Sequence, residues 1–500
     1  MISFFLIKIF SFFFIKKQYK WIKKSEKIQI KNLKNIILKA NNTIFGLNFN
    51  FKKIKNYNNF KHCISLKKYK SLIFYIKKIK LSYQSVLWKN MPIYFAKTAG
   101  TTLGNKYIPI TKESIHEQIS STRNTLLNYI CITKNIGFLK GKMIFLSGSP
   151  KLMLFGNILT GRLSGIVNYH IPIYLNRNKL PSYSINCIEN WYNKINEIVN
   201  ITIDLDVTFL SGIPPWMQIY FDKLYLKKYK NIISLFPNFS LLVHGGVNFA
   251  PYKLNMINRI GKNIDFIETY AASESFIAFQ NLKYNKGLLL QLNSNIFFEF
   301  ISLSEYINNK LDRIYVKNIK LNVNYVIILS NNAGLWSYVL GDIIKFISTN
   351  PYKIIITGRI NQFISTFGEH VISEEIEKSI NYALNKSKEV LINDFIVVPF
   401  IADNQYLSCH EWLIEFIYFP KNLLNFINYI EFSLKKLNSY YCELNFGKIL
   451  SSLKITCLKK NTFTSYMNIK GKLGNQNKII RLSNNRKIAN KLLFYNYFFN

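Results

Sequence analysis

From about residue 90 onward, the apolar positions of this chain fall in short runs, each closed by a glycine-bearing turn and followed by helical spacing. Lys142 to Leu146 runs into Ser147-Gly148-Ser149-Pro150, and Ser240 to Val243 runs into His244-Gly245-Gly246. Strands that feed glycine turns and then helices predict an α/β fold, with ligands at the carboxyl ends of the strands. Residues 16 to 80 differ: they are polar, lysine-rich and helical in spacing, and end in Ser82 to Trp88. Lys353 to Ile356 predicts a strand ending in Thr357-Gly358-Arg359. Beyond it, the helical pattern Ser373 to Leu384, the strand Phe395 to Pro399 and the run Glu411 to Phe419 predict a smaller α+β unit. This places a boundary near residue 360, with domains over 1–360 and 361–500. No internal repeat or long linker is visible.

The N-terminal run Ile2 to Ile15 is broken by Lys8 and is shorter than the ~20 residues a membrane-spanning helix needs. No small-residue cleavage site follows it. The expectation is a helix packed on the body of the protein, with no membrane span.

Composition changes the picture in one respect. Lys and Arg number 66 against 26 Asp and Glu, a formal net charge of +40. Such an excess points to nucleic acid or an anionic membrane when it is clustered. Here the lysines are spread along the chain. They accompany Asn, Ile, Phe and Tyr, whose codons are A- and T-rich, while Gly (21) and Pro (12) are scarce. An AT-rich genome explains this better than a nucleic-acid partner. The six cysteines are scattered, with no C-x-x-C and no histidine at metal spacing, which suits reduced thiols and a cytoplasmic location.

Against that bias, surviving glycine clusters stand out. Thr98-Ala99-Gly100-Thr101-Thr102-Leu103-Gly104-Asn105-Lys106 combines flexible backbone, hydroxyl donors and an ammonium, the parts a polyphosphate-gripping loop needs. Its spacing differs from the G-x-x-x-x-G-K-[ST] loop of kinases and GTPases. Taken alone it equally suits a polar turn. Downstream, His244-Gly245-Gly246-Val247 precedes Glu268-Thr269-Tyr270-Ala271-Ala272-Ser273-Glu274, where an aromatic and a carboxylate can cover a base and hold magnesium. Asp342, in Gly334-Leu335-Trp336-Ser337-Tyr338-Val339-Leu340-Gly341-Asp342, suits the two hydroxyls of a ribose. Thr357-Gly358-Arg359 and Gly368-Glu369-His370 follow. Each has a plainer reading: a capping aspartate, a salt-bridged arginine, a core tyrosine. Their order and spacing argue for one constellation.

That ordered series (KTAGTTLGNKYIPIT, VHGGVNFAPY, ETYAASESFIAFQ, GLWSYVLGD and GRINQFISTFGEHV) resembles the acyl-acid amido synthetases of the Gretchen Hagen auxin-responsive type, a pattern shared by bacterial members. The resemblance runs from about residue 15 to the C-terminus. It implies an α/β fold with a large N-terminal adenylate-forming domain and a smaller α+β C-terminal lid domain. The implied enzyme is a ligase that uses ATP and Mg2+ to turn a carboxylic acid into an acyl-adenylate and passes the acyl group to an amino acid. By position, Gly100, Thr101, Thr102, Gly104 and Lys106 would hold the β- and γ-phosphates. Gly246 and Val247 would line the adenine pocket, with Tyr270 against the ring. Ser273 and Glu274 would lie by the α-phosphate and magnesium. Asp342, helped by Arg359, would bind the ribose, and Lys478 matches a catalytic lysine of the closing lid, with Arg359 to Phe363 as hinge.

The chain departs from the family pattern at Ala99, where serine is usual, and at Ser337 and Val339, where arginines are usual. A lost charge near the nucleotide would weaken ATP binding. Two alternatives remain on sequence grounds: a ligase with CoA or another thiol as acceptor, and a nucleotide-binding remnant without turnover. Arg162 and His170 are candidates to face a substrate carboxylate.

Overall fold

The computed structural model describes residues 2–99, 105–171, 176–228, 231–246, 249–281, 287–360, 363–364, 369, 371–401, 408–446, 450–469 and 480–498. The chain forms two compact units. The first holds residues 1–340 and 345–355, the second 341–344 and 356–500. The chain passes between them along the paired strands Tyr338–Thr349 and Tyr352–Arg359.

Among the described residues, the first unit is built on a 12-stranded sheet. Its parallel part runs Lys179–Leu180, Lys142–Phe145, Val207–Gly212, Leu241–Gly245 and Asp265–Ala271, side by side. These strands are the apolar runs of the sequence. They are continuous rather than alternating because helices cover them: Leu210, Leu242 and Ile144 pack with Trp216, Met217, Tyr220 and Phe221 of the helix Pro214–Lys228. Facing residues Phe209, Leu241 and Ile267 pack on Tyr129 and Phe138. Beyond Asp265–Ala271 the sheet turns antiparallel through Phe276–Gln280 and Leu288–Leu290.

A separate four-stranded sheet contains the antiparallel hairpin Tyr94–Ala99 and Asn105–Ile110, in which Thr98 pairs with Lys106. The glycine-rich segment therefore connects two strands, not a strand and a helix. Thr111 caps the next helix, Lys112–Thr133, in a reciprocal box with Ser114, and its hydroxyl also donates to the Asn332 carbonyl at 2.8 Å.

The N-terminal helix Ile2–Ile22 buries Ser11, Ile15 and Trp21 and leaves Phe12 and Phe13 exposed. Among the described residues, no helix is long and apolar enough to cross a membrane.

In the second unit, Leu391–Phe400 and Cys409–Tyr418 pair antiparallel, and Lys454–Leu458 lies parallel to the latter. Successive strand residues point to opposite faces. Phe395, Val397, Trp412 and Ile414 face Ile376, Ile380, Phe426 and Ile430 of the helices Ser373–Lys386 and Leu423–Leu437. Ile396, Val398 and Leu413 face Phe463, Tyr466 and Leu492 on the other side.

Candidate functional site

The carboxyl ends of the parallel strands carry the site residues of the first unit. His244 is 3% exposed and stacks on Phe249 with ring centroids 4.0 Å apart. Burial pushes its pKa down to about 3, with Lys253 adding to the effect, so it is a neutral packing residue. After it, Gly245 lies so close to Thr269 that a Cβ there would come within 2.4 Å of the Thr269 carbonyl oxygen. Gly246 has φ +80°, a conformation that side chains resist. Two successive glycines thus give a strand end that a flat ligand can approach at backbone distance.

Tyr270 ends the neighbouring strand and is 6% exposed. Ser273 and Glu274 occupy the turn behind it, closed by the Ala272 N–H donating to the Ser275 carbonyl at 2.9 Å. Asn331 fixes this turn: its fully buried amide donates to the Glu274 carbonyl at 2.7 Å, while its own oxygen accepts the N–H groups of Ala333 and Leu335. Sequence reasoning missed Asn331. Its signal was the turn Asn331-Asn332-Ala333-Gly334 ahead of an apolar strand.

Lys106 lies beside Tyr69. Its ammonium lies 5.9 Å from the Tyr69 ring centroid, and the Tyr69 hydroxyl accepts the Tyr107 N–H at 2.8 Å. Tyr338, fully buried, has its phenol pKa raised by burial first, then by the charges of Glu274 and Tyr69. Gly246 and Tyr270 lie at the ends of neighbouring parallel strands, with Ser273 and Glu274 in the turn that follows.

Asp342 and Arg359 lie in the second unit. The Arg359 Nε sits 2.9 Å from Asp342 Oδ1, and the Ile360 N–H donates to the Gly341 carbonyl at 2.9 Å. The aspartate is mostly buried and the arginine more than half exposed, so the pair presents a fixed carboxylate beside a reachable guanidinium. Gly100, Thr101, Thr102, Gly104, Val247 and Lys478 lie outside the described residues. Past Lys478, the chain is held by Arg481, whose guanidinium pairs with Asp394 at 3.1 Å and Glu377 at 3.8 Å and whose carbonyl accepts the Val397 N–H.

Ser337, where the chain departs from the family pattern, lies in a buried polar network. Its side chain is fully buried, donates to Glu299 at 2.8 Å and accepts from Arg313 at 2.6 Å. Arg313 also pairs with Glu299 and donates to the Lys61 and Ile64 carbonyls. Arg313 is thus neutralised by Glu299 and held in the core beside Ser337. Burial raises the Glu299 pKa, and Arg313 opposes the shift.

Among the described residues, no group of three or more His, Cys, Asp or Glu converges on a metal position. Magnesium that arrives with nucleotide phosphates needs only one or two protein carboxylates, and Glu274 in its pinned turn fits that role. The six cysteines are unpaired, and burial pushes the Cys409 thiol up to about 11, away from nucleophilic use.

Comparison with known proteins places these features. Three family models match in order: the GH3 family N-terminal domain over residues 14–152, the GH3 family central domain over 289–359 and the GH3 family C-terminal domain over 374–487. Among solved structures, GH3.15 acyl acid amido synthetase is similar with a TM-score of 0.75 and 14% identity, covering 94% of this chain and 93% of that one. The AtGH3.15 enzyme in complex with 2,4-DB gives a TM-score of 0.75 at 15% identity and the same coverage. A 2-hydroxyisobutyryl-CoA ligase in the postadenylation state with 2-HIB-AMP gives 0.61 at 11% identity, covering 95% and 92%. These likenesses establish the fold. A curated relative, the DNA-directed RNA polymerase subunit beta of Carsonella ruddii (strain PV), is 26% identical over 467 residues. This chain spans about a third of that protein's length, covering 34% of it.

Proposed function

Because the chain belongs to the GH3 family, we propose that it is an ATP-dependent ligase that activates a carboxylic acid as an acyl-adenylate and transfers the acyl group to an amino acid. The observation that carries the reading is the turn Tyr270 to Glu274, pinned by Asn331 at the carboxyl edge of a parallel sheet. It supplies an aromatic residue and a carboxylate together, as a nucleotide with its magnesium requires.

In this reading the acid's carboxylate attacks the α-phosphorus and pyrophosphate leaves. Gly100, Thr101, Thr102 and Gly104 offer N–H and hydroxyl donors to the β- and γ-phosphates, with Lys106 balancing their charge. Tyr270 covers the adenine, Gly246 and Val247 allow it close approach, and Ser273 lies by the α-phosphate. Asp342, oriented by Arg359, accepts the ribose hydroxyls. Glu274 would hold Mg2+, which would supply charge neutralisation at the phosphates. Lys478 acts on the developing negative charge in the first step. The amine then attacks the acyl carbonyl, AMP departs and the amine loses a proton. No protein nucleophile takes part, in keeping with the raised Cys409 thiol. The unpaired cysteines support a reducing compartment, and we place the enzyme in the cytoplasm.

The test is ATP–pyrophosphate exchange with pooled carboxylic acids, comparing wild type with Lys478→Ala. Acid-dependent exchange, reduced at least about a hundredfold in the variant, is expected from the loss of a charge that acts on the transition state. Equal exchange in both removes Lys478 from the mechanism. Absence of exchange from folded protein across the pool overturns the ligase reading in favour of a nucleotide-binding remnant. Offering amino acids and CoA in turn to the preformed adenylate separates amide from thioester formation.

A further inference from the structure

The two sides of the N-terminal helix Ile2–Ile22 meet different surroundings. Ile7 packs on the cluster that holds Tyr129, Ile130 and Phe138, and Ser11, Ile15 and Trp21 are buried. On the other side, Ile9, Phe12 and Phe13 are 38%, 47% and 63% exposed. Lys16 and Lys20, also exposed, continue that side toward the end of the helix, and the exposed Lys23 and Lys24 form the turn after it. Ile9, Phe12, Phe13, Lys16 and Lys20 succeed one another at three or four positions, the spacing of one helical face.

Single exposed apolar side chains are ordinary on a protein surface. Here three sit together and a cationic stretch adjoins them. The Lys16 ammonium lies 4.9 Å from the Phe12 ring centroid, so the apolar and charged parts meet directly. The lysines run the length of the chain, but the acids do not. Residues 1–112 hold 24 lysines and a single acid, Glu26, whose carboxylate is hydrogen-bonded to the Tyr352 hydroxyl. A bias toward A and T in codons supplies lysine, yet it does not clear acids from one segment and leave them elsewhere. The imbalance is thus steepest in the segment that carries the apolar face.

An anionic bilayer surface complements both parts of this face. Apolar side chains insert about 5–10 Å into the boundary between headgroups and acyl chains, while neighbouring lysines meet the lipid phosphates. The helix is not apolar enough to cross a membrane, so the contact is with one leaflet. A polynucleotide would pair with the lysines and stack on the rings, but it offers Ile9 nothing to be buried against. A second copy would bring the lysines of two chains into one interface, where like charges repel.

We propose that this face docks the protein on an anionic lipid bilayer, with Ile9, Phe12 and Phe13 inserted and Lys16, Lys20, Lys23 and Lys24 at the headgroups. The contact does not depend on the ligase reading, and it leaves the remaining charge excess to composition.

Flotation of the full chain with vesicles at about 0.1 M NaCl tests the docking face. The vesicles are phosphatidylcholine with or without about one-third phosphatidylserine, and wild type is expected to bind the anionic ones at least about tenfold more tightly. Phe12→Ser with Phe13→Ser is expected to weaken that binding at least about tenfold, and so is replacement of Lys16, Lys20, Lys23 and Lys24 by Gln. Replacing Lys151, Lys227, Lys262 and Lys310 by Gln removes the same charge from exposed positions on other parts of the first unit. That control is expected to keep binding within about twofold of wild type. Melting curves establish that each variant is folded. Equal weakening in the control overturns the proposal, because binding would then follow total charge. Failure of wild type to float, equal affinity for neutral vesicles, or indifference to the phenylalanine substitutions overturns it as well. Sedimentation velocity without vesicles reads the other occupant: a concentration-dependent dimer lost in the phenylalanine variant would assign the face to a second copy.

Discussion

At the residue scale, the most telling side chain is His244, which sits beside the glycine pair yet does no proton chemistry. Its ring is stacked on Phe249, and burial drives its pKa to about 3 from an ordinary value near 6.5. The unfolded chain therefore takes up a proton in a range where the folded chain does not. The contribution is fully present above pH ~6.5 and is lost as pH falls toward 3. At pH 4 the loss amounts to about 3 kcal/mol. His244→Phe keeps the stacking and removes the titration. Urea unfolding at pH 7 and pH 4 is expected to show the variant losing markedly less stability than wild type between the two. Equal losses would mean that His244 is solvated or protonated in the folded protein.

At the element scale, the paired strand ends Leu241–Gly245 and Asp265–Ala271 hold together the region proposed to cover the base. A methyl group at Gly245 would meet backbone first, the Thr269 carbonyl oxygen at 2.4 Å, with the Thr269 hydroxyl at 2.8 Å, and backbone cannot swing aside. Gly245→Ala is therefore expected to destabilise the fold by about 1–3 kcal/mol. It is also expected to raise the apparent Kd for ATP by displacing Tyr270, one residue beyond Thr269. Thermal unfolding and nucleotide titration together check this. Unchanged ATP affinity in a destabilised variant would separate the strand end from the nucleotide.

The same elements show what a sequence can and cannot reveal. The strands Lys142–Phe145 and Leu241–Gly245 were legible because parallel strands buried on both faces must be apolar throughout, and glycine is costly enough in a lysine- and asparagine-rich chain to mark each turn. Asn331 was not, because one asparagine among dozens carries no local signal. What distinguishes it is a long-range hydrogen bond to a carbonyl remote in sequence. The contact of Ser337 with Arg313 was not legible either, because the two lie 24 residues apart and meet only in the folded core.

At the scale of the whole molecule, the formal net charge of +40 is the property that separates drift in composition from a second function. With 66 basic and 26 acidic side chains, a charge of +40 is left unbalanced whatever the fold. Like charges at this density repel one another, and the repulsion is screened once the Debye length falls to about 10 Å near 0.1 M salt. The melting temperature is therefore expected to rise as NaCl is increased from 0.02 to about 0.3 M, the range over which screening develops. Polynucleotides should bind at the low end of that range because any dense polyanion will. That binding should be independent of sequence and fall steeply with salt, through counter-ion release alone. Filter binding of two unrelated DNA duplexes and an RNA across the range, alongside the melting curves, decides the matter. Uniform loss of all three by about 0.3 M assigns the charge to composition. Retention of one over the others at that salt would require base or shape contacts that a charge excess cannot provide, and would give the lysines a function of their own.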